Sequence, residues 1–199
     1  MAKNFKEAGD YKLWVDWTHQ YLYLARLGCQ VALDNKPKYF RDDRGIMKYG
    51  PESLCIPIIF NFKHGIELSL KALSIIVDKK KEYERGHDIS KLFTTLKSHL
   101  EDEKLKIEES GGNKVKIDDS KSKIEGIVEK YRKGGFFKNR WDVVIQDKMN
   151  DLFRYPEGNS ATASINDKNF CKEDVKNLEE DIVKFSEAVN FLGYLYVVS

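Results

Sequence analysis

Cysteine, methionine and proline are scarce in this 199-residue chain, with three, three and four copies. Cys29, Cys55 and Cys171 are far apart and odd in number, which excludes a disulfide framework, a CxxC motif and a metal knuckle. Free thiols in a reducing compartment are the expectation. Long apolar runs are also missing. The longest, near residues 54–62, is interrupted by Pro57 and Asn61 and falls far short of a membrane span, so no membrane partner is expected. The opening residues, MAKNFKEAGDYK, have no apolar signal core, so no secretion signal is expected and a cytoplasmic location is. Neither sign of charge dominates, because a formal net charge of +2 accompanies 33% charged residues. Any electrostatic site must therefore be local. The phosphate loops GxxxxGKS/T and GxGxxG are absent, as is the GxSxG elbow of a hydrolase. No cofactor is expected.

What is present is helical periodicity. A hydrophobic content of 41% supports one core, and residues 1–199 are read as one domain. Over residues 11–33, Trp14, Trp17, Tyr21, Leu24, Gly28 and Val31 recur at steps of three and four. They are read as a bundle seam with core aromatics, in which Gly28 lets a neighbour approach closely. Residues 53–77 carry Ile59, Phe62, Ile66, Leu70, Leu73 and Val77, widened by Leu68, Ala72, Ile75 and Ile76. A helix apolar on most of its circumference is central. The next helix opens at Asp88, an N-cap after Gly86 and His87, and buries Ile89, Leu92, Phe93, Leu96 and Leu100. Further helices are expected over 120–132 and 141–153. The last, over 173–197, repeats Val175, Leu178, Ile182, Phe185, Val189, Leu192 and Tyr196 without a break. No sustained period-two stretch appears, so no sheet is expected. The reading is an all-α, up-down bundle of five or six helices with its terminal helices in contact. Long loops are placed near 34–51, 104–120 and 155–170.

Two segments mix basic and aromatic residues. The connector over 34–51 combines Lys36, Lys38, Arg41, Arg44 and Lys48 with Tyr39, Phe40 and Tyr49, but Asp34, Asp42 and Asp43 dilute its charge. It is read as a solvated loop. The segment RKGGFFKNR has Arg132, Lys133, Lys138 and Arg140, no acid, and Phe136 and Phe137 at its centre. Phosphate contact plus base stacking makes it the candidate RNA-binding segment.

Candidate chemistry centres on Glu67. A carboxylate in an apolar helix is costly to bury and needs a partner. His87, just past a glycine, is the expected one, directly or through Arg154. Metal binding would rest on His64 and Glu67 at i, i+3, but no second ligand set exists, so no metal is expected. Metal-independent RNA cleavage would need a histidine as general acid or base and an arginine to stabilise the phosphorane. The candidates are His87 with Arg85 or Arg154.

GIELSLKAL in the second helix, GHDISKL opening the third and RYP near residue 155 resemble the HEPN superfamily over residues 11–156. The resemblance implies a compact, often dimeric helical bundle from prokaryotic toxin–antitoxin, defence or nucleotide-associated systems. Matching positions are Glu67, Lys71, Gly86, His87, Asp88, Arg154, Tyr155 and Pro156, expected to form a polar cluster at one end of the bundle. Many HEPN ribonucleases carry an arginine, four to six intervening residues, then a histidine. None of His19, His64, His87 and His99 has an arginine at that distance, and Lys80 before His87 lacks the planar fork. The expected function is therefore a non-catalytic HEPN-like binding protein. Its expected partners are a second copy, RNA, a nucleotide or a cognate protein. The alternatives are a divergent ribonuclease and a structural interaction module.

Overall fold

The computed structural model describes residues 10–34, 38–42, 45–49, 51–78, 86–109, 114–132 and 171–198. Five helices occur among them: α1 (Asp10–Leu33), α2 (Pro51–Asp78), α3 (Ile89–Glu109), α4 (Lys114–Arg132) and α5 (Lys172–Val198). They form the all-α bundle expected from the sequence. Between α1 and α2 lies a short antiparallel hairpin of β1 (Lys38–Asp42) and β2 (Gly45–Tyr49). Its register pairs Lys38 with Tyr49, Phe40 with Met47 and Asp42 with Gly45. Here the expectation of a loop without strands is corrected. Two five-residue strands are too short to show a sustained alternation, although Tyr, Phe and Ile favour the extended backbone.

Helix α2 is the axis of the bundle and packs against α1, α3 and α5, while α4 joins α3 to α5. Ile59, Phe62, Ile66, Leu70, Leu73 and Val77 are all buried, as are Leu68, Ala72 and Ile76 on the flanking faces. Each such burial is worth about 1.5–3 kcal/mol for a large aliphatic or aromatic side chain. Pro51 opens the helix, where its missing N–H is no loss. Pro57 lies inside α2, and the amide of Asn61 donates to its carbonyl at 2.8 Å. Among the described residues no helix is long and apolar enough to cross a membrane.

The seam read on α1 is displaced. Thr18, Leu22, Ala25, Cys29 and Ala32 are the buried row, whereas Trp17 and Leu24 are 45% and 48% exposed. Trp17 is therefore not the core aromatic that its size suggested, and Trp14 is only half-buried. The reason is the closeness of α1 to α2. A Cβ on Gly28 would stand 2.6 Å from Ile58 Cγ1, and one on Gly65 2.7 Å from Leu22 Cδ2. These crossed pairs show that the two helices run antiparallel with small residues between them. The close approach expected at Gly28 is thus present, but aromatic rings do not fit into it.

The charged segment after Leu100 also differs from expectation. The loop placed near 104–120 is helical from 104 to 109 in α3 and from 114 to 120 in α4. Glu and Lys are good helix formers even without a wide apolar stripe, and Ile117 and Ser120 are buried in the early turns of α4. The helix expected over 141–153 and the loop near 155–170 lie outside the described residues.

Helix α5 follows its pattern: all seven residues of the expected seam are buried. It packs against α1, so the terminal helices touch. Cys171 accepts the first helical bond from Val175, and its own N–H donates to Asp174 Oδ2 at 2.8 Å. A polar latch ties α4 to α5. The hydroxyl of Tyr131 donates to Asp181 Oδ2 at 2.9 Å, and Lys130 Nζ reaches the same oxygen at 2.5 Å. Burial, then the charge of Asp181, push the Tyr131 hydroxyl well above its ordinary pKa, so it remains a donor. Its ring packs edge-on against Phe62 of α2, with centroids 4.8 Å apart. All three cysteines are free, as expected. Cys29 and Cys55 are buried, and Cys171 is exposed. Burial, then Glu179, push the Cys29 thiol up to about 12.

Two substitutions test this packing. Ile182→Asp places a charge in the α5 seam and should cost several kcal/mol, unfolding the protein at ambient temperature. An unchanged melting temperature would show the seam to be misassigned. Gly65→Val should cost roughly 1–3 kcal/mol by overpacking against Leu22, measured by denaturant titration.

Candidate functional site

Three charged residues follow one another along α2 at steps of four, Lys63, Glu67 and Lys71, and so share one face. Their exposures are 0%, 1% and 6%. Nearby serines solve their own burial: Ser69 donates to the Gly65 carbonyl at 2.7 Å and Ser74 to the Leu70 carbonyl at 2.8 Å. The charged groups cannot do this and need partners of opposite sign. Lys63 has an interaction partner of its own.

The partner from the next helix is placed by a tight entry. Gly86 has φ +123°, a region that side chains other than glycine's rarely adopt. Asp88 then caps α3, its Oδ1 accepting from the N–H of Ser90 at 2.9 Å and of Lys91 at 3.3 Å. Between the two, His87 is directed back to α2. Its Nδ1 lies 2.8 Å from Glu67 Oε1. An ionised carboxylate only accepts, so Nδ1 carries the proton and donates.

Lys71 Nζ donates to the same oxygen at 2.8 Å. His64 Nδ1 lies 3.6 Å from the other oxygen, Oε2. Aromatic rings frame Lys71 and His64. Lys71 Nζ stands 5.7 Å from the centroid of Trp14, within cation–π range. His64 meets Tyr21 edge-on at 4.4 Å and stacks on Phe60 at 5.9 Å. Burial by itself pushes the Glu67 carboxyl up. The His64 imidazole, the hydrogen bond and charge of Lys71, and the hydrogen bond from His87 outweigh it and bring the pKa from 4.5 to about 2. At 3.6 Å the His64 contact exceeds hydrogen-bond length, so we assign more of the lowering to the two 2.8 Å contacts.

The structure brings together Glu67, Lys71, His87 and Asp88 of the expected cluster, the first three in direct contact and Asp88 as the cap that sets His87. Arg85, Arg154, Tyr155, Lys133, Lys138 and Arg140 lie outside the described residues, and Arg132 closes α4, where it pairs with Glu129. Lys63 was not anticipated, nor were Trp14, Tyr21 and Phe60 as the frame of the cluster. The signal for Lys63 was available, since it is a second charge in the same apolar run as Glu67. Among the described residues no group of three or more His, Cys, Asp or Glu is arranged to hold a metal. Comparison with family models, with curated proteins and with solved structures finds no match for this chain.

The depressed Glu67 pKa makes a signed prediction. Stabilisation from ionised Glu67 is fully present above about pH 4.5 and is lost as pH falls through about 2. Glu67→Gln mimics the protonated form. At pH 7 it should be less stable than the wild type by roughly 2–3 kcal/mol. Near pH 2 the two proteins should converge. A difference independent of pH, by denaturant titration, would contradict the ionised assignment.

Proposed function

We propose that this chain is a HEPN-like helical-bundle protein that acts by binding, as a homodimer, in a prokaryotic defence, toxin–antitoxin or nucleotide-associated system. The observation that carries the non-catalytic reading is the closure of the Glu67 cluster. Glu67 is buried, and both Lys71 and His87 are committed to one of its oxygens at 2.8 Å. Such a network joins α2 to the start of α3 and gives His87 a structural task. Leu13, Trp17 and Leu24 form an exposed apolar row on α1 and support docking of a second copy. The basic segment 132–140 is the part of the chain suited to RNA.

A ribonuclease is the second reading, and one observation favours it. The side chain of His87 is 40% exposed while its Nδ1–H is held by a buried carboxylate. That arrangement orients an imidazole for general acid–base work on its other nitrogen. The missing spaced arginine weighs against it.

One set of measurements separates the readings. Purified wild type incubated with single-stranded RNA in EDTA should not cleave it. His87→Ala should lower the melting temperature and leave RNA affinity unchanged. Cleavage by the wild type that His87→Ala abolishes at unchanged melting temperature would establish the enzyme instead. Replacing Lys133, Lys138 and Arg140 by Gln should weaken RNA binding. It should also flatten the salt dependence, by about 0.7 in the log–log slope for each phosphate no longer neutralised. Sedimentation at micromolar concentration should give twice the 23.1 kDa chain mass.

A further inference from the structure

A groove of about 360 Å³ opens between α1, α2 and α5, and none of its lining residues belongs to the Glu67 cluster. Its size falls in the range of small-molecule sites. Ala72 and Leu73 contribute to its apolar lining from α2, and Asp16 and Asn190 contribute polar groups from α1 and α5. Its described lining residues include one carboxylate, Asp16, and no lysine or arginine.

Two features of the groove run against stability. Gly193 sits inside α5, where glycine weakens a helix relative to alanine. A Cβ there would meet only Leu73 Cδ2, at 3.9 Å, so packing does not demand the glycine. Thr18 is 3% exposed, yet its hydroxyl has no hydrogen-bond partner among the described residues. A buried hydroxyl normally finds one. Local departures from the stable choice gather where a protein reserves space for something else.

We infer that this groove binds a small amphiphilic amine, its apolar body against Ala72 and Leu73 and its cationic head at Asp16. The space kept open at Gly193 admits the body, and Asn190 supplies a polar contact beside the head. Beyond the His19 imidazole, its described lining holds no cationic side chain, so the groove disfavours phosphates and carboxylates.

The experiment compares three ligands of one body by calorimetry with the full chain at pH 8: phenylbutylamine, phenylbutanol and phenylbutyrate. The amine should bind, the alcohol about tenfold more weakly, and the carboxylate more weakly still. Asp16→Asn, at an exposed position, should bring the amine and the alcohol to equal affinity. Gly193→Leu fills the groove and should lower amine affinity by at least about tenfold with helical content retained. Gly193→Ala, which adds one methyl group where there is room, is the milder second variant and should give a smaller loss. Failure of the amine to bind at millimolar concentration, undiminished binding by both folded Gly193 variants, or binding of phenylbutyrate or adenosine monophosphate as tightly as the amine would each overturn the proposal.

Discussion

An ionised carboxylate with 1% of its surface exposed, in the middle of the central helix, is the constraint around which this bundle is arranged. Glu67 cannot be left alone in the core, because an unpaired buried charge destabilises by several kcal/mol. One partner comes from the same helix, a turn later, as soon as α2 forms. The other must come from elsewhere, and it comes from the first residues before α3. This ties together a positive-φ glycine, a histidine directed back to α2 and an aspartate cap. Their order leaves little freedom in how α3 starts beside α2.

Small residues govern the other side of α2. Its close contact with α1 at Gly28 and Gly65 requires the row Thr18, Leu22, Ala25, Cys29 and Ala32 to face inward. The larger aromatics of α1 are then turned to the flanks. There Trp14 covers the Lys71 ammonium and Tyr21 stands against His64. Close packing of two backbones and aromatic cover of the ionic cluster are thus two results of one helix rotation. At the far end of the chain, the Tyr131–Asp181–Lys130 latch does for α4 and α5 what the Glu67 cluster does for α2 and α3.

Much of this was readable from residue order. The unbroken three-four repeat of α5 identified its buried face, and Asp88 after Gly86 identified the start of α3. Glu67 paired with His87 followed from the cost of burying a charge. Residue size misled on α1, because ring area suggests burial while interhelical distance decides it. Charged helix formers hid the lengths of α3 and α4, whose outer turns have no strong apolar stripe. The hairpin escaped because its two strands are short. Of the candidate site, the acid, the lysine, the histidine and the cap were legible. Lys63 was passed over as one more charge, and the aromatic frame required three-dimensional placement of α1.

The cysteines divide into two chemical populations as a result of this packing. Cys29, with its thiol pushed up to about 12 in the α1–α2 contact, offers almost no thiolate at neutral pH. Cys55 is likewise buried, and Cys171 alone is exposed, at the cap of α5. A folded chain therefore presents one sulfur to an alkylating reagent and an unfolded chain presents three. The number of reagent molecules attached, read by mass, is a built-in gauge of how much of the population has come apart.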